Sequence, residues 1–429
     1  MLDVKDAYAR EEGAMLTTSC DAESERPLVI VVHASVGSGH RSAAQSVTQA
    51  LEDLAGSHPA LPADAEIAVL DILSYGYIHF DGDKTANVTV VFNSLYDFCW
   101  HHVFTGRILW GGGWLWSPCM FSAFTKLVRA RRPIAIVATH IVAANAAVAA
   151  RMLTGQRFPI VCVPTDYGAE GFWPHLTADL FCAADQEMVK ELEPRRVPRH
   201  RIKVTGIPVR KGFSETRDRT ETLRSFGLPQ DKINVLVMAG ARLAQPYMPF
   251  REIFDEVVPL LSDFPNMHFA VLAGADDEYA QRLRTMAAAR SIDNITVFNY
   301  VEDIPGLMSA SDMIVAKSGG LATTECLCAR LPLVLVGTPY GQERANTVTV
   351  TEAGAAVTAE TSSQLVNELE RIHEDPLVLR TMNKGGDFLR RPHAARDIAC
   401  ATLDLVGHIR EVRKFPLKIY WGGKPHPLR

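Results

Sequence analysis

The feature that most limits how this chain can fold is a repeated one. Short, continuous runs of Val, Ile and Leu recur, each followed by a stretch of helix length. The first series is LVIVV (28–32), EIAVLDI (66–72), IAIVAT (134–139), IVCVPT (160–165), DLFCAA (179–184) and IKVTG (202–206). Strands that are apolar at every residue are buried on both faces, as in a parallel sheet with helices on each side. The rhythm restarts with INVLVMAG (233–240). It continues through MHFAVLAG (267–274), NITVFNY (294–300), DMIVAKSGG (312–320) and LPLVLVG (331–337). An α/β fold of two Rossmann-like, doubly wound domains in tandem is expected. The segment 206–232 between them is polar, charged and contains proline, which places a linker near 208–222. The expected divisions are a frayed arm over 1–26, a first domain over 27–215, a second over 216–380, and a closing helix and tail over 381–429. The last helices, from about 376 to 412, could end either half.

Composition narrows the function. A net charge of −5 argues against a globally basic nucleic-acid binder. The eight cysteines form no CxxC pair. Cys162, Cys182, Cys326 and Cys328 lie in apolar stretches and read as buried free thiols of a reducing compartment. Residues 1–26 lack a basic start followed by an apolar core, so no signal peptide is expected. The most apolar stretch, 134–153, contains His140 and Asn145, and no membrane span is expected. GADDEYA (274–280) is acidic but offers no convincing metal cluster, and no metal site is expected.

Three turns carry candidate chemistry. HASVGSGHRSAAQSV (33–47) runs from a strand through Gly37 and Gly39 into a helix, with His40 at the loop's end. Its spacing fits neither the dinucleotide fingerprint nor the nucleoside-triphosphate loop. SGGLATTECL (318–327) follows another strand. The start of a helix there offers unpaired N–H groups and about half a positive charge, enough to hold a diphosphate. Glu325, a turn later, could accept both hydroxyls of a ribose. The alternative is a tight strand-to-helix connection with Glu325 as a dipole partner. GTPYGQERANTVTV (337–350) follows the next strand, so its polar Gln342, Glu343 and Asn346 should lie on the same sheet edge. They could read sugar hydroxyls, or form a solvated first turn.

Taken together, residues 299–357 strongly resemble the donor half of inverting GT-B nucleotide-sugar glycosyltransferases. That group contains the peptidoglycan N-acetylglucosaminyltransferase and the galactolipid and glucolipid synthases. The glycine loop, ATH (138–140), VPTDYGAEGFWPHLTADLFCAADQEMVKEL (163–192) and VPRHRIKVTGIPVRKGF (197–213) resemble one branch of it. That branch is the monogalactosyldiacylglycerol synthases and processive diacylglycerol glucosyltransferases. The similarity covers about residues 28–390. MAGARLAQPY (238–247) departs from it by lacking the usual glycine cluster, and the 415–429 tail has no counterpart.

The resemblance implies an inverting transfer of a hexose from UDP-glucose or UDP-galactose to a membrane lipid hydroxyl, most simply diacylglycerol. By the same resemblance Ser318, Gly319, Gly320 and Leu321 cradle the phosphates and Glu325 takes the ribose. Gln342, Glu343 and Asn346 lie by the sugar, Tyr300 and Val301 frame uracil, and Gly37, Gly39 and Gly240 complete the donor contacts. No cofactor and no essential metal are implied, because helix ends replace the cation. One base must deprotonate the acceptor. His40 is the first candidate, with Asp71 and Asp166 as the alternatives, since each ends a strand facing the cleft. Other readings keep the fold but pass N-acetylglucosamine to a polyprenyl-linked or sphingolipid acceptor, or make the chain a non-catalytic nucleotide-sugar-binding subunit.

Trp100, Trp110, Trp114 and Trp116 crowd one stretch, followed by TKLVRARR (125–132) with Arg129, Arg131 and Arg132. Tryptophan with basic residues favours an anionic membrane surface. A peripheral enzyme on the cytoplasmic face is the expectation. A buried aromatic cluster is the alternative.

Overall fold

The computed structural model describes residues 26–76, 113–169, 173–241 and 245–409. All eleven apolar runs are strands, and all pair in parallel. The first sheet contains β1 (Leu28–His33), β2 (Glu66–Asp71), β3 (Ala135–Ala138), β4 (Ile160–Cys162), β5 (Leu180–Ala183) and β6 (Ile202–Val204), in the order β2-β1-β3-β4-β5-β6. The second contains β7 (Ile233–Met238), β8 (Met267–Leu272), β9 (Ile295–Phe298), β10 (Met313–Ala316), β11 (Leu333–Val336) and β12 (Ala356–Ala359), in the order β12-β11-β10-β7-β8-β9. Strand β12 is an addition to the sequence expectation. It is a short edge strand with partly exposed Val357 and Thr358, so it lacks the continuous apolar signal.

Alternate residues of β1 serve opposite faces. Val29 and Val31 pack against helix α1 (Ser38–Leu54) through Val47 and Leu51. Leu28, Ile30 and Val32 pack against α2 (Ser122–Arg131) and α3 (Ile141–Thr154), through Phe124, Leu127 and an alanine-rich face. Burial on both sides is why the sequence reads as continuous runs. In the second sheet, α4 (Gly320–Cys328) and α5 (Gln342–Glu352) start at the carboxyl ends of β10 and β11. That edge of a doubly wound sheet is where ligands bind.

The closing helix α6 (Ala394–Leu403) resolves the question of which half it ends. It returns to the first sheet and lays Ala395, Ile398, Ala399, Ala401 and Leu403 against the Val29, Val31 and Leu51 face. The returning chain crosses the linker at Gly206, whose φ is +86°. A Cβ there would lie 2.5 Å from that of Arg391. Glycine is needed both for the conformation and for the crossing. Ile398 is fully buried in this seam. Ile398→Ala should therefore cost about 2–5 kcal/mol of stability. Urea denaturation would check this, and a loss under 1 kcal/mol would contradict the packing.

Candidate active site

The first domain's wall is built around His40. Strand β1 ends at His33 and the chain turns through Gly37, whose φ of +147° favours glycine, into α1. The Ser35 and Leu73 N–H groups donate to Asp71 Oδ1 at 3.3 and 3.0 Å, so Asp71 ties the tip of β2 to the glycine loop. His40 Nδ1 lies 3.0 Å from the Thr139 carbonyl and 2.9 Å from Thr165 Oγ1, while Thr139 Oγ1 donates to the His40 carbonyl at 2.9 Å. A carbonyl only accepts, so this contact assigns the proton to Nδ1 and leaves the lone pair on Nε2. His140 stands edge-to-face against His40, with ring centres 4.6 Å apart. Its Nδ1 caps α3 by accepting from the Val142 N–H at 3.2 Å.

Burial biases this cluster towards neutral rings. It lowers the His40 pKa, and nearby Asp166 partly restores it. His140 is held well below the ordinary imidazole value by burial and by His40 and His33. Burial takes His33 down to about 4, against the pull of Asp71.

The second domain's wall is the edge of β10 and β11. Lys317, Ser318 and Gly319 lead from β10 into α4, and Gly341 leads into α5 with Gln342 and Glu343 in its first turn. Glu325 is buried within α4, and Arg210 Nη2 of the linker sits 3.4 Å from its Oε1. Burial raises the Glu325 pKa and Arg210 opposes it. Lys317 pairs with Glu343 Oε1. Val301 is partly buried and Tyr300 is 45% exposed just past β9, on this same edge. Gly240 is placed by packing. A Cβ there would meet the Ala273 carbonyl oxygen at 2.0 Å, so its lack of a side chain lets two backbone segments touch.

The two walls meet. A Cβ on Gly39 would lie 3.7 Å from Leu321 Cβ, so the two glycine turns face one another. A Cβ on Gly320 would fall 2.2 Å from the Thr165 carbonyl oxygen and 2.5 Å from Asp166 Oδ1. The missing side chain at Gly320 thus admits the first domain's PTDYG loop. Asn346 is fully buried at the centre of this contact. Its Nδ2 donates to Asp166 Oδ1 at 2.8 Å and to the Ser318 carbonyl at 2.9 Å, and its Oδ1 accepts from the Tyr167 N–H at 2.8 Å. Asn346 was expected beside the sugar. Here one N–H joins the domains through Asp166, and the other bonds the Ser318 carbonyl of its own domain. Burial raises the Asp166 pKa, with the Asn346 hydrogen bond and His40 opposing it.

The membrane expectation is only partly visible. Trp100 and Trp110 lie outside the described residues, as do the side chains of Trp114 and Trp116, most of the 1–26 arm and the 415–429 tail. Lys126, Arg129 and Arg132 are exposed on or beside α2. Arg131 is partly buried and pairs with Glu66 at 2.5 Å. Among the described residues no helix is long and apolar enough to cross a membrane, and no group of His, Cys, Asp or Glu could hold a metal ion. In GADDEYA, Asp276 caps a helix by accepting from the Tyr279 N–H and pairs with Arg251. Cys162, Cys182, Cys326 and Cys328 are buried and free, with burial raising each thiol's pKa.

Two parallel Rossmann-like sheets facing one another form the GT-B architecture. Solved structures share it. A UDP-GlcNAc 2-epimerase from Neisseria meningitidis bound to UDP-GlcNAc aligns with a TM-score of 0.59 at 12% identity, over 88% of this chain and 100% of that one. Acinetobacter baumannii MurG aligns with a TM-score of 0.55 at 16% identity, over 89% and 99%. Residues 114–209 match the monogalactosyldiacylglycerol synthase family, and residues 234–397 match the glycosyltransferase family 28 C-terminal domain. A processive diacylglycerol beta-glucosyltransferase of Bacillus cytotoxicus is 24% identical over 394 residues, which is 89% of this chain and 94% of that protein. The chain is thus similar to the monogalactosyldiacylglycerol synthases over part of its first domain and to the processive diacylglycerol glucosyltransferases over most of its length.

Lys317, Arg210, Thr139 and Thr165 were not singled out from sequence. Lys317 alone left a usable signal, as a lysine directly before a glycine turn. The buried histidines give a stability test. Above pH 6.5 His33 is neutral whether folded or not. Below that value the unfolded chain takes up a proton that the folded one refuses until about pH 4, so stability falls across this window. At pH 5 His33 alone should cost about 2 kcal/mol, from ~1.5 pH units at ~1.36 kcal/mol each. Denaturation at pH 7.5 and 5 should show His33→Gln losing less stability than wild type by that amount. An equal loss would refute the assignment.

Proposed function

We propose that this protein is an inverting, UDP-sugar-dependent hexosyltransferase, drawing on UDP-glucose or UDP-galactose and acting on the hydroxyl of diacylglycerol at a membrane surface. The observation that carries this is the apposition of His40's loop and the start of α4, with Gly39 against Leu321. It brings a base candidate to the turn best suited to a diphosphate. The names and coverage of the relatives support the lipid acceptor.

In this reading Ser318–Leu321 and the α4 N-terminus hold the diphosphate, Glu325 accepts the ribose hydroxyls, and Gln342 and Glu343 take sugar hydroxyls. Tyr300 and Val301 flank the uracil. His40 Nε2 removes the acceptor's proton as its oxygen bonds to the anomeric carbon. The bond to the β-phosphate oxygen breaks on the opposite face, which inverts the centre and releases UDP. Thr139 and Thr165 fix the ring. Asp166 favours the imidazolium that forms, as its effect on the His40 pKa indicates. Asp71 is a loop anchor rather than the base, since its Oδ1 already takes two backbone N–H groups. Lys126, Arg129 and Arg132 face anionic head groups, which keeps the enzyme peripheral.

Vesicles containing diacylglycerol and either UDP-hexose should yield UDP, and mass spectrometry should find hexosyl-diacylglycerol. No UDP release with any lipid hydroxyl would end this reading. His40→Ala should lower kcat by about 10²–10⁴-fold while UDP still binds. In wild type the acid limb of kcat/KM should inflect below the ordinary imidazole value of about 6.5, because burial lowers the His40 pKa and the base must be neutral. An inflection above that value would point to a different base.

A further inference from the structure

Both carboxylates on the donor wall are held by cations: Glu325 by Arg210, and Glu343 by Lys317. The second pair is the more enclosed. The Lys317 and Glu343 side chains are 22% and 13% exposed, and the ammonium lies 5.9 Å from the centre of the Tyr247 ring. Tyr247 ends the 238–247 segment, which has Gly240 alone in place of a glycine cluster. Burial pulls the Lys317 pKa down, but Glu343, Tyr247 and Tyr340 outweigh it, so the lysine stays charged. Lys317 directly precedes the Ser318–Gly320 turn. A Cβ on Gly319 would lie 4.0 Å from Lys317 Cε, so the side chain runs beside the turn ahead of α4, whose N-terminus by itself supplies only about half a unit of positive charge.

We propose that Lys317 is the cation that meets the donor's diphosphate, and that Glu343 competes for it, so that the pair selects UDP carrying a sugar over bare UDP. The inference rests on the donor site proposed above. When the ammonium turns to phosphate oxygens, Glu343 loses its partner inside a water-poor wall. An unpaired buried carboxylate is costly. Sugar hydroxyls next to the diphosphate can donate to it and remove the cost. Bare UDP brings the phosphates but no such hydroxyls, so it must pull Lys317 from Glu343 without compensation. The same asymmetry weakens the product relative to the substrate and speeds UDP release.

Calorimetric titration with uridine, UDP and UDP-hexose separates the alternatives. Lys317→Met should weaken UDP binding by about ten-fold or more, as loss of a charge-assisted bond predicts, and leave uridine unchanged. Lys317→Arg should retain most of the UDP affinity. Glu343→Gln, which frees the lysine, should tighten UDP and weaken UDP-hexose. The Lys317→Met/Glu343→Gln double variant should lose the gain for UDP. If Lys317 only positions Glu343, Lys317→Met will weaken UDP-hexose and spare UDP, which overturns the proposal. A Glu343→Gln variant that binds UDP no tighter than wild type also overturns it. Wild-type protein that binds no UDP overturns the donor site itself, whereas wild-type binding with no response to Lys317→Met overturns this inference alone.

Discussion

One buried amide organises the molecule. Asn346 has no exposed surface, and its hydrogen bonds reach both sides of the cleft: Asp166 and Tyr167 in the first domain and the Ser318 carbonyl in the second. A buried amide left unpaired costs about 1–3 kcal/mol per group. The first domain's PTDYG loop and the second domain's glycine turn are therefore held in one geometry. Gly320 makes that geometry possible, because any side chain there would strike Thr165 and Asp166. Asp166 is also the charge that most raises the His40 pKa. The contact that joins the domains thus also sets the field at the base candidate.

The cleft is electrically sparse. His33, His40 and His140 are all pushed towards neutrality, and the Asp166 pKa is pushed upward. Burial is the leading cause in each case. On the donor wall the ionisable groups are paired, Lys317 with Glu343 and Arg210 with Glu325. Low local dielectric makes each remaining interaction stronger and each unmatched charge more costly. Such a setting suits a reaction in which a neutral imidazole takes a proton while a diphosphate leaves. His40 meets the geometric condition, because the Thr139 carbonyl occupies Nδ1 and leaves Nε2 to act.

What the sequence revealed follows from how locally each feature is encoded. The inner strands were legible because burial on both faces forces uninterrupted apolar residues, and the part-buried edge strands β2 and β9 still carry apolar runs. Strand β12 was not, since its four residues, Ala-Val-Thr-Ala, form no run of Val, Ile or Leu. The return of α6 to the first sheet was unreadable because its apolar face would fit either domain, and only the crossing at Gly206 fixes it. His40 and Glu325 stood out by their places beside glycine turns. The role of Asn346 did not, because its partner Asp166 lies 180 residues away. Both Asn346 and Gly320 were read for a ligand, whereas the structure shows the protein itself using them. An amide that can bind a sugar can equally bind a backbone, and only burial tells the two apart.

The linker extends this argument from geometry to motion. It was expected as a polar connector, yet its cations alternate between the domains. Arg210 reaches Glu325 in the second, Lys211 reaches Asp53 in the first, and Arg217 reaches Asp303 in the second. The Lys211–Asp53 pair is largely exposed, and exposed pairs are worth about 0–1 kcal/mol. It can be broken and remade cheaply. The Asn346 joint cannot, because parting the domains breaks its bonds to Asp166 and Tyr167 together with the 3.3 Å Thr324–Tyr167 contact. The outgoing and returning chains also pass closely at Gly206, against Arg391 and Ala394. Cheap contacts therefore lie along the linker and the costly ones at the buried Asn346 joint.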